Sequence, residues 1–469
     1  IVEQHFVDIL RRTFELHGFS GIQTRAVEPL SELTKKGETS KEVYLLSRLQ
    51  ADPAESEEDP RKQLGLHFDL TVPFARYVVD NAGLLTFPFK RYQIQKVWRG
   101  ERPQEGRFRE FIQADIDIVG DGALPLHHDV EVPLIMHEAL SALPVPAVTI
   151  HVSNRKVAQG FYQSIGIGSD LLIEVLRVVD KLDKIGPEKV AAELTLSVGA
   201  SAQQAAQALG LAAITGTDGQ DVSDQVLRAL GGAEPTGLLE EGLTELTALL
   251  EVAGQRRPGA VIADLKIARG LDYYTGTVYE SFMAGHEDLG SVCSGGRYDS
   301  LATNGKRTFP GVGISIGLSR LLARVIGEGL VEVSRPVPTV VLVAVTDEAH
   351  RCASDAVADA LRARGIVPAI ATGRSLAALP AKIRELVAAE NIELFITING
   401  QYNQYRGEAL ATNPMSIGEI ERFNALFARH GWDYTYVGAE QMASNRQSAR
   451  MDEALAGIGP YIVAPDYYL

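Results

Sequence analysis

The segment from Trp98 to Asp117 holds the densest set of side chains that could take part in chemistry. Arg99, Arg107 and Arg109 stand at the two ends of a polar stretch in this segment. A guanidinium group is planar and can donate two parallel hydrogen bonds to a pair of phosphate oxygens. These three arginines could therefore bind a triphosphate. Charge content alone favours a different interpretation, an exposed hairpin whose charges form surface ion pairs. Both interpretations stay open at this point.

The end of this segment carries three kinds of chemical group at regular spacing. Phe111, Gln113, Asp115 and Asp117 are two positions apart. Side chains two apart on a β-strand share one face, so an aromatic ring, an amide and two carboxylates would line one wall. Such a wall could hold a purine ring next to a cationic small molecule.

A second cluster lies between Ala268 and Glu280. Arg269 has small neighbours, so an anion could approach its guanidinium closely, although an arginine in a surface ion pair explains the same pattern. Tyr273 and Tyr274 combine apolar rings with polar tips, and most such tyrosines are simply half-buried. The cluster therefore permits an anion site without requiring one.

Glycine-rich stretches follow this cluster. The sequence SGGRYD from Ser294 to Asp299 predicts a tight turn, and further glycines precede Arg320. Neither the GxGxxG pattern nor the GxxxxGK[ST] pattern occurs in a suitable context, so a dinucleotide-binding fold and a P-loop have no support. A nucleotide site in this chain is therefore of another kind.

Strands and helices must position these groups. Apolar patterns predict strands at Ile22–Val27, Leu66–Thr71, Tyr92–Trp98, Phe111–Val119, Val278–Phe282 and Val312–Gly317. The third and fourth of these strands flank the charged stretch and predict a hairpin. Helical spacing predicts helices at Val2–His17 and Leu318–Ile326, and the acidic run from Ala51 to Lys62 predicts a loop.

Composition along the chain predicts five segments. Residues 165–256 are rich in Ala, Leu, Glu and Gln, which indicates an all-helical insertion between two parts of one sheet domain, 1–164 and 257–334. Residues 335–400 form a small α/β domain, and residues 401–469 form a C-terminal extension of uncertain role.

The prediction of an α/β domain depends on alternating elements in residues 335–400. Strands are predicted at Thr339–Val345, Val367–Ala371 and Leu394–Ile398. Helices are predicted between them at His350–Arg364 and Leu379–Ala389.

Overall composition excludes several classes of protein. The chain has 469 residues, of which 45% are hydrophobic and 22% charged, as is ordinary for a folded globular protein. Its formal charge of −15 argues against nonspecific coating of nucleic acid. No apolar run approaches the roughly 18 residues that a membrane helix needs. Cys293 and Cys352 lie far apart and predict a reducing, cytoplasmic setting.

Four ordered motifs resemble those of one enzyme family. WRGERPQEGRFREF (98–111) resembles motif 2, GVGISIGLSRLL (311–322) resembles motif 3, and ARGLDYYTGTVYE (268–280) and SGGRYD (294–299) resemble the two histidine signatures of the histidyl-tRNA synthetases. These are class II aminoacyl-tRNA synthetases. The likeness runs from about Phe6 to Ile398. HFDLTVPFARY (67–77), Asp115 and Asp117 look more like the eukaryotic and archaeal branch.

The resemblance implies a fold and a reaction. The implied fold is an α+β catalytic domain with an antiparallel sheet, interrupted by the all-helical insert and followed by a small α/β anticodon-binding-like domain. The implied reaction joins ATP and histidine into histidyl-adenylate, releases pyrophosphate, and then moves histidine to the terminal adenosine of tRNA(His). The family further implies a homodimer without membrane attachment, in which residues 165–256 clamp the tRNA acceptor arm.

The same resemblance implies roles for single residues in binding ATP. Arg99 and Arg269 are similar to the catalytic cations at the α-phosphate. Binding of the rest of ATP is implied for Glu101, Arg107, Phe111 and Arg320. Mg²⁺ is the implied metal cofactor, held by Glu101 and the ATP phosphates, since the sequence carries no side-chain metal motif.

A further set of residues is implied to bind histidine: Asp69, Thr71, Gln113, Asp117, Tyr273, Tyr274 and Tyr298. Asp69 and Gln113 match positions that hold the α-ammonium group. Asp117 and Tyr274 match groups that recognise the imidazole by hydrogen bonds.

Two other functions are compatible with parts of the sequence. A non-catalytic paralogue, such as the regulatory subunit of ATP phosphoribosyltransferase, keeps the fold and loses the chemistry, but the family's arginines and Gln113 are present here. An acidic α/β binding protein without a nucleotide site leaves the four motifs unexplained. The chain also departs from the family in two places. In the segment that corresponds to motif 1, Pro29 lies several positions after Thr24, whereas the family usually has an adjacent threonine-proline pair. In addition, the sequence of Asn399–Leu469 does not resemble the usual end of an anticodon-binding domain.

Overall fold

The structure is a computed structural model of the chain. It describes residues 1–34, 42–47, 63–102, 106–268, 273–331, 341–345, 351–365, 368–372, 394–397, 402–405, 408–412, 415–437, 442–455 and 461–464. The chain forms two compact units, Val2–Val331 and Glu332–Leu469, and the second also includes Ile1. The predicted loop at Ala51–Lys62 and the predicted helix at Leu379–Ala389 lie outside the described residues.

The first unit combines helices with one large sheet and one small sheet. Its helices are α1 (Val2–Leu16), α2 (Leu30–Leu33), α3 (Thr71–Asn81), α4 (His127–Ser141), α5 (Arg155–Ser164), α6 (Leu172–Val179), α7 (Leu182–Ile185), α8 (Pro187–Ser197), α9 (Ala202–Ala212), α10 (Gly219–Ala229), α11 (Gly237–Arg256) and α12 (Leu318–Gly327). Its strands are β1 (Ser20–Gly21), β2 (Val27–Pro29), β3 (Leu45–Leu46), β4 (Leu64–Leu66), β5 (Phe89–Trp98), β6 (Glu110–Val119), β7 (Val148–Asn154), β8 (Thr215–Gly216), β9 (Val261–Asp264), β10 (Thr277–Met283), β11 (Cys293–Tyr298) and β12 (Gly311–Gly317).

The large sheet has the strand order β1-β5-β6-β12-β11-β10-β7-β9-β8. From β5 to β7 in this order, each strand pairs antiparallel with the next. By contrast, β1 pairs parallel with β5, and β9 pairs parallel with β7. At the far edge β8 pairs antiparallel with β9. The sheet is therefore mixed, and the prediction of an antiparallel sheet holds for all of its pairs except β1–β5 and β7–β9. Parallel pairing requires a long crossover connection, and helices α5 to α11 supply it between β7 and β9.

The hairpin β5–β6 is confirmed with continuous pairing from Phe89 opposite Val119 to Trp98 opposite Glu110. Its alternation sorts side chains between two faces. Ala114, Ile116 and Ile118 are fully buried in the apolar core beneath the sheet. The intervening positions on β6 therefore lie on the opposite, polar face.

Helix α1 shows how the sequence pattern positions a helix against this core. Phe6, Leu10 and Phe14 recur every four residues and are completely buried. Burial of one such side chain stabilises the fold by about 1.5–3 kcal/mol. The apolar stripe thus fixes which face of α1 packs against the core and leaves its charged face in solvent.

Two predicted strands in the N-terminal part are largely wrong. The segment predicted as a strand at Ile22–Val27 lies between β1 and β2, and only Val27 is in a strand. The strand predicted at Leu66–Thr71 ends at Leu66, because Thr71 begins helix α3. The Val72 amide donates a 3.0 Å hydrogen bond to Asp69 Oδ1, a side-chain cap that favours a helix start at this point.

The second unit contains two further sheets. Its elements are β13 (Val341–Val345), α13 (Arg351–Arg362), β14 (Pro368–Thr372), β15 (Leu394–Thr397), β16 (Tyr402–Tyr405), β17 (Glu408–Thr412), α14 (Ile417–His430), β18 (Thr435–Val437), β19 (Met442–Ser444), α15 (Ala449–Leu455) and β20 (Tyr461–Val463). The order of the larger sheet is β14-β13-β15-β16-β17, with β13 parallel to both neighbours. The strands predicted from alternating elements are confirmed. Across the described ranges of both units, no helix is long and apolar enough to span a membrane.

Candidate active site

Two adjoining cavities open on the polar face of the large sheet. The larger has a volume of about 500 Å³ and the smaller about 80 Å³. The walls of both include the same four side chains, Arg99, Gln113, Ser294 and Ser315. A molecule in one cavity would therefore lie directly beside a molecule in the other.

The larger cavity brings together the residues that the sequence predicted for ATP. Its lining includes Arg99, Glu101, Arg107, Phe111 and Arg320. The Arg99 Nε donates a 3.0 Å hydrogen bond to the carbonyl of Phe68, and its guanidinium lies 5.1 Å from the centre of the Phe111 ring. Glu101 accepts a hydrogen bond of 3.3 Å from Arg107 Nη1. The cavity therefore offers guanidinium groups and two aromatic rings, the partly buried Phe111 and the exposed Phe108.

Arg320 is held at the wall by backbone carbonyls. Its guanidinium donates to the carbonyl of Ser291 at 3.1 Å and to that of Leu289. The helix that carries it, α12, is tied to β6 because the Ile112 amide donates a 2.9 Å hydrogen bond to Ser319 Oγ. The serine that stands before Arg320 thus has a structural role of its own.

Glu42 is a residue of this cavity that the sequence did not predict. It lines the larger cavity, and its carbonyl accepts a 2.8 Å hydrogen bond from the Gly100 amide. Burial, and next the neighbouring Glu101 carboxylate, raise the pKa of Glu42 above its ordinary value. Glu42 lies more than fifty residues before motif 2 and outside any motif, so the sequence did not indicate that it belongs to the site.

The smaller cavity brings together all seven residues predicted for histidine: Asp69, Thr71, Gln113, Asp117, Tyr273, Tyr274 and Tyr298. The rings of Tyr273 and Tyr274 lie with their centres 4.1 Å apart. Burial raises the pKa of the Tyr274 and Tyr298 hydroxyls well above the ordinary value. Both hydroxyls therefore remain protonated near neutral pH and can donate hydrogen bonds.

Asp117 is fixed from two sides. Its Oδ1 accepts a 2.6 Å hydrogen bond from the Tyr298 hydroxyl, and its Oδ2 lies 2.6 Å from Arg91 Nη2. Arg91 is completely buried, and its guanidinium lies 4.3 Å from the centre of the Phe74 ring. Sequence reasoning missed Arg91, although it is the residue directly opposite Asp117 in the β5–β6 pairing.

Glycines allow these groups to approach the sheet closely. A Cβ atom at Gly313 would lie 2.1 Å from Asp117 Oδ1, which is too close for any side chain. A Cβ atom at Gly311 would lie 2.4 Å from the Tyr298 ring. Gly313 itself lines the smaller cavity, whereas Gly317, closer to Arg320, lines the larger one.

Asp115 lies between Gln113 and Asp117 on the same face of β6 and also lines the smaller cavity. It is 2% exposed, and it forms a hydrogen bond with Ser315. Gln113 Nε2 donates to the same Ser315 hydroxyl at 3.1 Å. Burial raises the pKa of Asp115 to about 7, opposed by Arg91 and reinforced by Asp117. The spacing on β6 placed Asp115 on this wall, but no role was predicted for it.

Arg269 cannot be assigned to either cavity, because residues 269–272 lie outside the described part of the chain. Within the described ranges, no three His, Cys, Asp or Glu side chains are grouped in a way that could hold a metal ion.

Comparison with known proteins decides the family. A family model described as histidyl-tRNA synthetase matches residues 2–321. A histidine–tRNA ligase of Micrococcus luteus is 58% identical over 378 residues, which cover 79% of this chain and 81% of that protein. One of Cutibacterium acnes is 56% identical over 78% of this chain and 80% of its own length. The chain belongs to the histidyl-tRNA synthetase family. It is therefore an aminoacyl-tRNA synthetase, as its four motifs predicted.

Solved structures support the fold of this synthetase. A histidyl-tRNA synthetase from Nostoc sp. PCC 7120 has 32% identity and a TM-score of 0.75, and the match covers 90% of this chain and 95% of that one. An ATP phosphoribosyltransferase regulatory subunit/histidyl-tRNA synthetase from Bacillus halodurans C has 20% identity, a TM-score of 0.65 and coverage of 82% and 92%. At that identity the second match concerns the fold alone. The non-catalytic alternative thus has less support than the enzyme.

The comparisons bear on two expectations, the extent of the likeness and its branch. The family model ends at residue 321, before the expected limit at Ile398, but the match to the Micrococcus luteus protein covers 79% of this chain and therefore extends beyond that model. The relatives from Micrococcus luteus and Cutibacterium acnes are bacterial, so the expected likeness to the eukaryotic and archaeal branch gains no support from them.

A second family model matches the C-terminal part of the chain. It is described as haloacid dehalogenase-like hydrolase and matches residues 346–457. This range overlaps both the predicted anticodon-binding-like domain at 335–400 and the predicted extension at 401–469. The match gives no support to an anticodon-binding role, which stays a prediction.

Proposed function

We propose that the larger cavity binds ATP, that the smaller cavity binds histidine, and that the chain joins them before transferring histidine to tRNA(His). The observation that carries this proposal is the wall shared by the two cavities, in particular Arg99 and Gln113. An amino acid in the smaller cavity would direct its carboxylate towards the α-phosphate of a nucleotide in the larger one. Holding two reactants in this way removes much of the entropic barrier to their reaction.

The first step requires cations more than acids or bases. A carboxylate oxygen of histidine attacks the α-phosphorus, the bond from phosphorus to the bridging oxygen breaks, and pyrophosphate leaves. Negative charge grows on the phosphoryl oxygens, and preorganised guanidinium groups stabilise it. We assign this role to Arg99 and Arg269, assign the outer phosphates to Arg107 and Arg320, and assign stacking on adenine to Phe111.

Mg²⁺ fits the larger cavity as a cofactor that relies mainly on the nucleotide. Among the described residues, Glu101 and Glu42 are the carboxylates that line the cavity. Mg²⁺ typically takes one or two carboxylates and completes its shell with phosphate oxygens and water. Glu101, with Glu42 beside it, would hold the ion, and the ion would neutralise charge on the phosphates.

Selection of histidine follows from the polar groups of the smaller cavity. We assign the imidazole to Asp117 and Tyr274, with Tyr273 and Tyr298 beside them, and the α-ammonium to Asp69, Thr71 and Gln113. A buried site that hydrogen-bonds a substrate leaves polar groups unpaired when an analogue lacks the matching atoms. Rejection of such amino acids by about 10⁴-fold or more follows, without a separate editing site.

The second step needs tRNA(His). The terminal ribose hydroxyl attacks the carbonyl carbon of histidyl-adenylate, and AMP leaves with the electrons of the broken bond. We assign the clamp on the acceptor arm to residues 165–256, where helices α6 to α11 lie. Anticodon contacts are assigned to residues 335–400 on the resemblance alone.

We also propose that the chain acts as a homodimer in the cytoplasm. The family supports the dimer. A mass near twice 50.8 kDa at micromolar concentration is the expected result, and a monomer mass would contradict it.

Charging of tRNA(His) tests the complete proposal. The purified chain should attach radioactive histidine to a tRNA(His) transcript in the presence of ATP and Mg²⁺. A transcript lacking its terminal adenosine should accept none, because it has no hydroxyl for the transfer step. Attachment of no histidine to the intact transcript would contradict the proposal.

A further inference from the structure

Two buried oxygens in the smaller cavity accept no hydrogen bond from any described residue. They are Gln113 Oε1 and Asp115 Oδ1. Gln113 is 8% exposed and Asp115 is 2% exposed, so bulk water does not replace the missing donors. Buried polar atoms in native proteins almost always have a partner. Two vacant acceptors on one wall of a small cavity therefore indicate a ligand that carries N–H donors.

The charges around Asp115 favour a cationic donor. The groups that act on it from its own strand and its surroundings are Asp117 on β6, Arg91 on β5, and Asp69 before α3. Strand β12 contributes the Ser315 hydroxyl, and β11 contributes the buried thiol of Cys293 and the hydroxyl of Tyr298. Of the nearby guanidinium groups, Arg91 already lies 2.6 Å from Asp117, and Arg99 in the cavity wall donates to the carbonyl of Phe68, so neither of these contacts neutralises Asp115.

The positions on β6 identify which part of an amino acid would meet these oxygens. Phe111 lines the larger cavity, Gln113 lines both cavities, and Asp115 and Asp117 line only the smaller one. The order along the strand therefore runs from the nucleotide towards the imidazole. The α-ammonium lies between the carboxylate and the side chain of an amino acid, which is the level of Gln113 and Asp115.

We propose that Asp115 is a substrate-binding residue whose Oδ1, together with Gln113 Oε1, accepts hydrogen bonds from the α-ammonium group of histidine. This inference rests on the proposed function of the smaller cavity. In the empty cavity the Asp115 carboxyl group holds its proton for part of the time. When the ammonium cation enters, the carboxyl releases that proton to solvent and remains as a carboxylate paired with the cation.

Proton release is consistent with the electrostatics of the empty site. Burial raises the pKa of Asp115 to about 7. An adjacent cation favours the ionised form of a carboxyl group. Histidine binding at pH 7 should therefore release roughly half a proton from this residue, since a group at its pKa is half protonated.

The first test uses the wild-type chain and two ligands that differ at one group. Calorimetric titrations at pH 6, 7 and 8, in buffers of different ionisation enthalpy, count the protons released when histidine or its 2-hydroxy-acid analogue binds. The analogue carries a hydroxyl in place of the ammonium. We expect histidine to release about half a proton more than the analogue at pH 7. Histidine should also bind more tightly at pH 8, but Asp69 contributes to that difference, so equal proton counts for the two ligands at pH 7 would overturn the proposal.

The second test uses Asp115→Asn, which keeps the side-chain shape and removes the charge. Loss of a charged hydrogen bond predicts a KM for histidine that is about 10–10²-fold higher, with a smaller change in kcat. The ratio of variant to wild-type KM should rise from pH 6 to pH 8. Asp121→Asn, an exposed carboxylate just beyond the end of β6 that pairs with Arg307, is the matched control and should leave KM unchanged.

The outcomes separate this inference from the function on which it rests. An unchanged KM and an unchanged pH profile in Asp115→Asn would overturn the inference while leaving histidine activation intact. A wild-type chain that activates another amino acid and ignores histidine would contradict the proposed function itself. If Asp115→Asn fails to fold, the difference in proton release between the two ligands on the wild-type chain still decides, because it depends on the raised pKa of Asp115.

Discussion

Arg91 Nη2 lies 2.6 Å from Asp117 Oδ2, and both side chains are buried, with Asp117 in the wall of the smaller cavity. The two residues are direct partners across β5 and β6. Arg91 therefore fixes the position of the Asp117 carboxylate, which we propose binds the imidazole of histidine. The other oxygen of Asp117 is held by the Tyr298 hydroxyl at 2.6 Å.

Replacement of Arg91 should destabilise the fold. Arg91→Met leaves Asp117 as a buried charge without its cation, which is expected to lower the free energy of unfolding by about 3–5 kcal/mol. The additional change Asp117→Asn removes that charge and should recover part of the loss. Urea denaturation of both variants measures the effect. Lys96→Met, which removes an exposed ion pair with Glu110, is the control and should leave the urea midpoint almost unchanged. Equal midpoints for Arg91→Met and the wild type would contradict the account.

Replacement of Arg99 should slow activation without unfolding the chain. Arg99→Ala removes a preorganised cation from the wall between the two cavities, and a loss of about 10²–10³-fold in the rate of adenylate formation is expected. Arg269→Ala should have an effect of the same size. Rapid-quench measurement of adenylate formation checks both. Arg307→Ala, which removes an exposed ion pair with Asp121, should retain the full rate.

A methyl group at Gly313 should impair histidine binding. Gly313→Ala puts a carbon atom within 2.1 Å of Asp117 Oδ1, so the carboxylate must move. Displacement of a substrate-positioning group by about 1 Å can reduce activity by about 10²-fold, and we expect most of this loss in the KM for histidine. Gly254→Ala in α11 is the control, because no described atom lies within 4 Å of the added carbon. That control should match the wild type in KM, and an unchanged KM in Gly313→Ala would exclude a tight contact there.

The stability of the ligand-free chain should depend on pH through Asp115. The pKa of this carboxyl group is about 7 in the folded chain and about 4 in the unfolded chain. Between these values the folded state binds more protons, so the contribution of Asp115 is fully present below pH 4 and is lost as pH rises to about 7. The stability difference between wild type and Asp115→Asn should fall over this window, by up to about 1.4 kcal/mol per pH unit. Urea denaturation at pH 4.5, 6 and 8 measures this difference, and parallel pH profiles would show that Asp115 does not titrate there.

Sequence patterns predicted the elements that carry the site because these elements are long and regular. The hairpin around the charged stretch, strands β10 and β12 and helix α12 all lie where alternation or helical spacing indicated. The alternation from Phe111 to Asp117 also predicted that these side chains share a wall. Periodicity succeeds at these positions because one face of each element packs against the same core.

Other features depended on particular contacts that periodicity does not contain. The start of α3 at Thr71 is one example, because it depends on a hydrogen bond from the Val72 amide to Asp69 Oδ1, whereas the apolar residues Leu66, Phe68 and Leu70 alternate as in a strand. The partnership of Arg91 with Asp117 follows from the register of two strands, and Glu42 approaches Gly100 from a distant segment. The vacant oxygen of Asp115 is visible only when the donors around it are known.

The most direct test of the central claim is exchange of radioactive pyrophosphate into ATP by the purified chain, without tRNA. This assay reports the first step alone, and it separates an enzyme from a regulatory paralogue. We predict exchange when histidine is supplied and none with the other nineteen amino acids. Absence of exchange with histidine, or equal exchange with a different amino acid, would contradict the assignment of the two adjoining cavities.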